Sequence, residues 1–145
     1  MLFGKRKRIV KRILIVEDEP LIAFDNETML ADLGYEVVAT VDSFGTAIEQ
    51  LESEEIDLIL TDLKLTGDRT GMDLARAAKR RGIPTLFSTG HDLPPDAASV
   101  AIGCLTKPYN ERTLKNALRS IDRHLAGETA KKPPKGMQFF AQEPS

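Results

Sequence analysis

Ile-Leu-Ile-Val-Glu-Asp-Glu-Pro, residues Ile13 to Pro20, decides the reading of this chain. Four consecutive apolar residues, three of them β-branched, make a strand with no polar alternation, so both of its faces are expected to be buried. The run stops at Glu17, Asp18 and Glu19. Pro20 suits the first turn of a helix, where its missing N–H leaves no bond unmade. A buried strand that delivers acids into a helix opens a βα unit.

Four more units follow. Val37 to Val41, Leu58-Ile59-Leu60, Thr85-Leu86-Phe87 and Cys104-Leu105-Thr106 are the other predicted strands. Leu21, Ile22, Met29, Leu30 and Leu33 form the stripe of a first helix that Gly34 stops. Ser43 caps a second, with Phe44, Ala47, Ile48 and Leu51 on its apolar face. Leu74, Ala77 and Ala78 mark a third. Pro94 and Pro95 open a short fourth that runs to Val100. Asn110 caps a fifth carrying Leu114, Ala117, Leu118, Ile121 and Leu125. Strict alternation predicts an α/β fold, a doubly wound parallel sheet with helices on both faces and right-handed crossovers. Ligands of such sheets bind beyond the C-terminal ends of the strands.

Composition agrees with one globular domain. The 145 residues are 41% hydrophobic and 29% charged, and no apolar run approaches bilayer length, so membrane insertion is not expected. A single cysteine, Cys104, makes no internal disulfide, and the expected compartment is the reducing cytoplasm. Charge divides the chain. Six bases and no acid occupy the first twelve residues, whereas Ile13 to Leu125 holds 20 acids against 11 bases. That acidic body repels nucleic acid, so no direct nucleic-acid contact is expected. The domain reading is a basic leader over 1–11, a folded body over 12–126 and a mobile tail over 127–145 without helical or strand periodicity.

The residues at the strand ends carry the chemistry. Strand one ends in Glu17-Asp18, strand three in Thr61-Asp62, strand four in Ser88-Thr89-Gly90 and strand five in Thr106-Lys107-Pro108. Singly, each has a plain explanation: acids suit a helix N-terminus, Asp62 and Thr89 suit turns, and Lys107 suits the surface. Jointly, three carboxylates, a hydroxyl and an ammonium meet on one rim. Clustered carboxylates need a cation, and an oxygen-only set suits Mg²⁺. A carboxylate beside Mg²⁺ and an ammonium is placed to attack a phosphoryl group.

These four motifs, in this order, resemble the receiver domain of two-component response regulators, over about Lys11 to Leu125. The resemblance implies a flavodoxin-like (βα)5 fold of strand order 2-1-3-4-5, with three helices on one face and two on the other. It implies that Asp62 accepts phosphate from a sensor histidine kinase or a histidine phosphotransfer protein. Glu17, Asp18, Asp62 and the backbone carbonyl of Lys64 are then the Mg²⁺ ligands. Thr89 and Lys107 bind the phosphoryl group, and the Lys107–Pro108 bond is expected to be cis. Output is implied to be protein–protein, by a phosphate shuttle, a sink or a downstream target, on the surface near the fourth helix, strand five and the fifth helix. The family's aromatic position on strand five holds Cys104 here. Pro84 to His91 resembles a single-domain subgroup known by a Phe-Ala-Thr-Gly-hydrophobic-Tyr run, with Ser88 in place of Ala. Lys64, His91, Cys104 and Pro108 are the candidate modulating residues. The same residues also admit two other readings: a binding scaffold that is not phosphorylated, and a small aspartyl-phosphate phosphatase. The phosphatase chemistry calls for a second acid where Lys64 stands.

Overall fold

The structure, a computed structural model, describes residues 8–90, 92–128 and 132–140. The chain runs β1 (Arg12–Val16), α1 (Pro20–Asp32), β2 (Glu36–Val41), α2 (Phe44–Ser53), β3 (Leu58–Thr61), α3 (Gly71–Arg80), β4 (Thr85–Thr89), a 3-10 turn (Ala97–Ser99), β5 (Gly103–Thr106), α4 (Glu111–Leu125) and β6 (Met137–Phe139). The sheet order is β2-β1-β3-β4-β5-β6. The first five strands are parallel, in the predicted order 2-1-3-4-5, and β6 is antiparallel to β5.

The unbroken apolar run of β1 is explained by its two neighbours in depth. Ile13 and Ile15 face one core with Leu30 of α1 and Leu114, Leu118 and Ile121 of α4. Leu14 and Val16 face the other with Ala47 and Leu51 of α2 and Leu74 and Ala78 of α3. All four β1 side chains are fully buried, each contributing about 1.5–3 kcal/mol. The helix starts follow the capping residues. Ser43 Oγ accepts from the Thr46 N–H, and Asn110 Oδ1 accepts from the Thr113 N–H. At α3, Thr70 and Asp73 form a reciprocal capping box.

Three expectations are corrected. The fourth helix is only the three-residue 3-10 turn, so two α-helices cover each face. Pro94 and Pro95 cannot donate backbone bonds, and only about five residues remain to wind before the chain enters β5. The stripe of α1 is displaced: Leu21 is 78% exposed, while Ala23, Asn26 and Leu30 are buried. The stretch read as a tail without strand periodicity contains β6, since a three-residue strand is too short to show an alternating pattern.

The leader's described part is bound to the body. Asp122 Oδ1 accepts the N–H groups of Ile9 and Val10, and Asp57 Oδ2 accepts those of Lys11 and Arg12. Arg8 lies 4.3 Å over the Tyr35 ring, and Arg12 pairs with Glu36 and Glu54. These bases therefore serve internal contacts. Residues 1–7 lie outside the described residues.

Candidate functional site

Hydrogen bonds of the parallel ladder continue past the strand ends and fix the rim. The Glu17 N–H donates to Val41 O, the Asp62 N–H to Val16 O and the Lys107 N–H to Thr89 O, at 2.9, 3.1 and 2.9 Å. The first residue beyond each of β1, β3 and β5 is thus held by its neighbour strand, with its side chain on a common edge. This is why residues separated by up to 90 positions meet.

Lys107 Nζ donates to Glu17 Oε1 at 2.9 Å and to Asp62 Oδ2 at 3.0 Å. The other oxygens are also engaged. Glu17 Oε2 accepts the Glu19 N–H at 3.1 Å, and Asp62 Oδ1 accepts the Leu63 N–H at 2.7 Å. Glu17 is buried, Asp62 half-buried and Asp18 exposed, and one oxygen from each lies within 4.8 Å of the others. The rim is graded from a closed floor to an open mouth.

Burial pushes the Glu17 carboxyl above the usual carboxylate value, while the Lys107 and Glu19 hydrogen bonds pull it back. Burial also works against the Lys107 charge. The hydrogen bonds and negative charges of Glu17 and Asp62 outweigh it and hold the ammonium above the ordinary lysine value. Three carboxylates against one ammonium leave two formal negative charges in excess, on hard oxygen donors alone. That donor set fits a divalent cation such as Mg²⁺.

The remaining predicted residues separate. Thr89 closes β4 and is buried. The Lys107–Pro108 peptide is cis. The Lys64 side chain is exposed. His91 lies outside the described residues. Cys104 is buried, donates weakly to Leu105 O at 3.5 Å, and has its thiol pushed up to about 11 by burial. At pH 8 only about one thiol in a thousand is then thiolate. Alkylation of the native protein is expected to be negligible at pH 8 and to rise about tenfold per pH unit towards 11. Complete reaction is expected once denaturant is added. Rapid native labelling at pH 8 would contradict this.

Sequence reasoning missed a buried polar bridge behind the rim. Tyr109 donates its hydroxyl to Asn26 Oδ1 at 2.8 Å and lies 3.2 Å from Ser88 Oγ. It ties α1 and the end of β4 to the residue after Pro108. The signal is present in α1, where Ala23, Asn26 and Leu30 share one face at spacings of three and four, but hydropathy does not mark a polar residue as inward-facing. Gly71 was also missed: its α-carbon packs so closely on the Asp62 backbone that a Cβ there would lie 2.2 Å from Asp62 O.

The chain matches the response regulator receiver domain over residues 13–119. It is similar to the chemotaxis protein CheY of Pseudomonas aeruginosa, 31% identical over 124 residues that cover 80% of this chain and 99% of that one. It spans about half the length of other curated relatives that it matches. Among solved structures it is similar to the BeF3-activated conformation of SdrG from Pseudomonas melonis, at 34% identity and a TM-score of 0.66, covering 76% of this chain and 94% of that one. It is also similar to the receiver domain of the sensor histidine kinase PA1611 from Pseudomonas aeruginosa, at 28% identity and a TM-score of 0.67, covering 76% and 95%; that structure has a magnesium ion coordinated in its active-site cleft. No helix among the described residues is long and apolar enough to cross a membrane. The match begins inside β1, takes in every strand-end motif of the rim and ends inside α4, and on that ground the chain belongs to the response regulator receiver domain family of two-component signalling.

Proposed function

We propose that Asp62 is a phosphoacceptor, taking a phosphoryl group from a phosphohistidine of a sensor kinase or a histidine phosphotransfer protein. The observation that carries this reading is Lys107 Nζ bridging Glu17 and Asp62 at 2.9 and 3.0 Å, beside a third carboxylate, Asp18.

One Asp62 carboxylate oxygen attacks phosphorus in line. The P–N bond to the donor imidazole breaks, and the imidazole leaves with the bonding pair and takes up a proton. The Leu63 N–H and Lys107 hold the carboxylate in place before attack. In the product Lys107 turns its ammonium to a phosphoryl oxygen, and the Thr89 hydroxyl donates to another. Glu17, Asp18, Asp62 and the Lys64 carbonyl would hold Mg²⁺, which when bound would supply positive charge to the transferred oxygens. Lys107, Pro108 and Tyr109 form one unit, because the Tyr109 hydroxyl fixes the chain immediately after the cis bond.

The relatives' names support the assignment of partners: one is a chemotaxis protein and one is a domain of a sensor histidine kinase. Incubation with Mg²⁺ and acetyl phosphate, followed by intact mass measurement, tests the reading. A single phosphoryl adduct is expected in the unsubstituted chain and none in Asp62→Asn. No adduct, or one that persists in Asp62→Asn, would overturn it.

A further inference from the structure

One element of the fold takes no part in the phosphoacceptor chemistry. β6 lies along the outer edge of β5, pairing Gly103 with Phe139, Cys104 with Gln138 and Leu105 with Met137. The ladder extends beyond the strand at both ends: the Thr106 N–H donates to Gly136 O and the Phe140 N–H to Ile102 O, each at 3.0 Å. Side chains of β6 and of the residue that follows it pack on the two faces of the sheet. Met137 and Phe139 join the α1–α4 side, where Phe139 meets the His124 ring edge-on at 5.0 Å. Phe140, 5% exposed, packs on the other side with Phe87, Ala97, Ala101 and Cys104. Gly103 is suited to this approach, because a Cβ there would lie 2.7 Å from Gln138 O. The outer edge of β5, one part of the surface on which docking was expected, is therefore covered by the chain itself.

A second observation links this cover to the rim. A cleft of about 420 Å³, open to solvent and walled in large part by residues of the 92–98 segment, is bordered by Thr89 and Gly90 on one side and by Cys104, Gln138 and Phe140 on the other. The small Cys104 leaves that space open. β3 lies across β4 from β5 and β6, so movement of Thr89 toward Asp62 is movement away from Phe140. Thr89 and Phe140 border the same cleft, so a shift of Thr89 changes the shape of the space against which Phe140 packs.

We propose that the outer edge of β5 is a docking site for an extended apolar–polar–aromatic–aromatic segment, that residues 137–140 occupy it in cis, and that modification of Asp62 weakens this hold and opens the edge to a partner strand. Main-chain bonds give such a site its affinity and alternating side-chain pockets its specificity. A short edge strand opens locally at far lower cost than the whole domain unfolds. Covering it at rest also suppresses edge-to-edge aggregation. The trigger rests on the phosphoacceptor reading; the strand site does not.

Coupling between two binding events is reciprocal, so loosening β6 must tighten binding of a phosphoryl mimic. Beryllofluoride with Mg²⁺ is titrated by NMR into the full chain, into Gln138→Pro, which removes the central N–H of β6, and into Phe140→Ala, which keeps the backbone intact. Beryllofluoride is expected to bind both variants about fivefold tighter or more. In the unsubstituted chain it is expected to lower amide-exchange protection at Phe140. A synthetic peptide of residues 134–140 is expected to shift the amides of residues 102–106 in Gln138→Pro. Equal beryllofluoride affinity in all three chains with unchanged Phe140 protection overturns the coupling alone. No binding in any chain overturns the phosphoacceptor reading and the trigger with it. No peptide shift overturns the strand site.

Discussion

Lys107→Ala is expected to slow phosphorylation of Asp62 by about 10²–10³-fold, the usual cost of removing one donor aimed at a developing oxyanion. The loss has two parts. The ammonium at 3.0 Å from Asp62 Oδ2 no longer holds the carboxylate or meets the transferred oxygens. The second part falls on Glu17. Its carboxyl already sits above the usual value because it is buried, and Lys107 supplies the main opposing pull. Without it, the Glu17 pKa rises further, so at any given pH a larger fraction is protonated. Mg²⁺ affinity in Lys107→Ala is then expected to strengthen with rising pH more steeply than in the unsubstituted chain, because a protonated carboxyl is a poor ligand. Lys107→Arg keeps the charge but replaces a compact ammonium with a planar fork, and is expected to restore the fold's charge balance without restoring the rate. Acetyl phosphate kinetics on the three chains, with Mg²⁺ titrations at several pH values, check this. Near-normal rates in Lys107→Ala would remove Lys107 from the proposed chemistry.

The parallel part of the fold was legible because its central strands, β1, β3 and β4, are buried on both faces. The run Ile13 to Val16 has no alternation for the same reason that its side chains alternate between two cores. The rim was legible because it needs only strand ends, and strand ends are marked by an abrupt change from apolar to charged residues. Three features were not. β6 is three residues long, and its position depends on an edge that only the assembled sheet provides. The fourth helix failed because a proline pair that can start a helix also shortens what remains for winding. The buried face of α1 was misread because Leu21 and Phe24, though apolar, are 78% and 64% exposed, while a polar residue, Asn26, occupies the inward face. Asn26 can do so because Tyr109 satisfies its carbonyl oxygen. Hydropathy counts carbon; it does not register which buried polar atoms find partners.

The bridge and the cover are placed on opposite sides of β5. Tyr109 anchors the chain just past the strand to α1 and β4, while β6 closes the strand's free edge. β5 thus carries the rim's only described cation at one end and is flanked along its length by a removable neighbour. Thr89 at the rim and Gln138 and Phe140 at the edge border one cleft, and that cleft is the route the proposed coupling takes.

Gly71→Ala is expected to destabilise the domain by about 1–3 kcal/mol, the range for forcing a methyl group into a packed site, and to cut the phosphorylation rate by about 10²-fold. A Cβ at Gly71 would lie 2.2 Å from Asp62 O, 3.0 Å from Leu63 Cα and 3.1 Å from Asp62 C. All three are backbone atoms, so no side-chain rotation relieves the clash. The Gly71 N–H also donates to Leu63 O at 2.8 Å, which pins the start of α3 against the segment that follows β3. One side must move. α3 resists, because Leu74, Ala75 and Ala78 are fully buried. The 62–63 peptide then shifts, and with it the Leu63 N–H that holds Asp62 Oδ1. A displacement on the order of 1 Å at the nucleophile accounts for the rate. Gly45→Ala is the control: nothing lies within 4 Å of its would-be Cβ, and it sits inside α2, so its stability is expected to stay equal or rise by about 0.5–1 kcal/mol with phosphorylation unchanged. Urea midpoints and acetyl phosphate rates for both variants decide the matter. If Gly71→Ala matches Gly45→Ala in both, the contact between α3 and the Asp62 carbonyl does not set the position of the nucleophile.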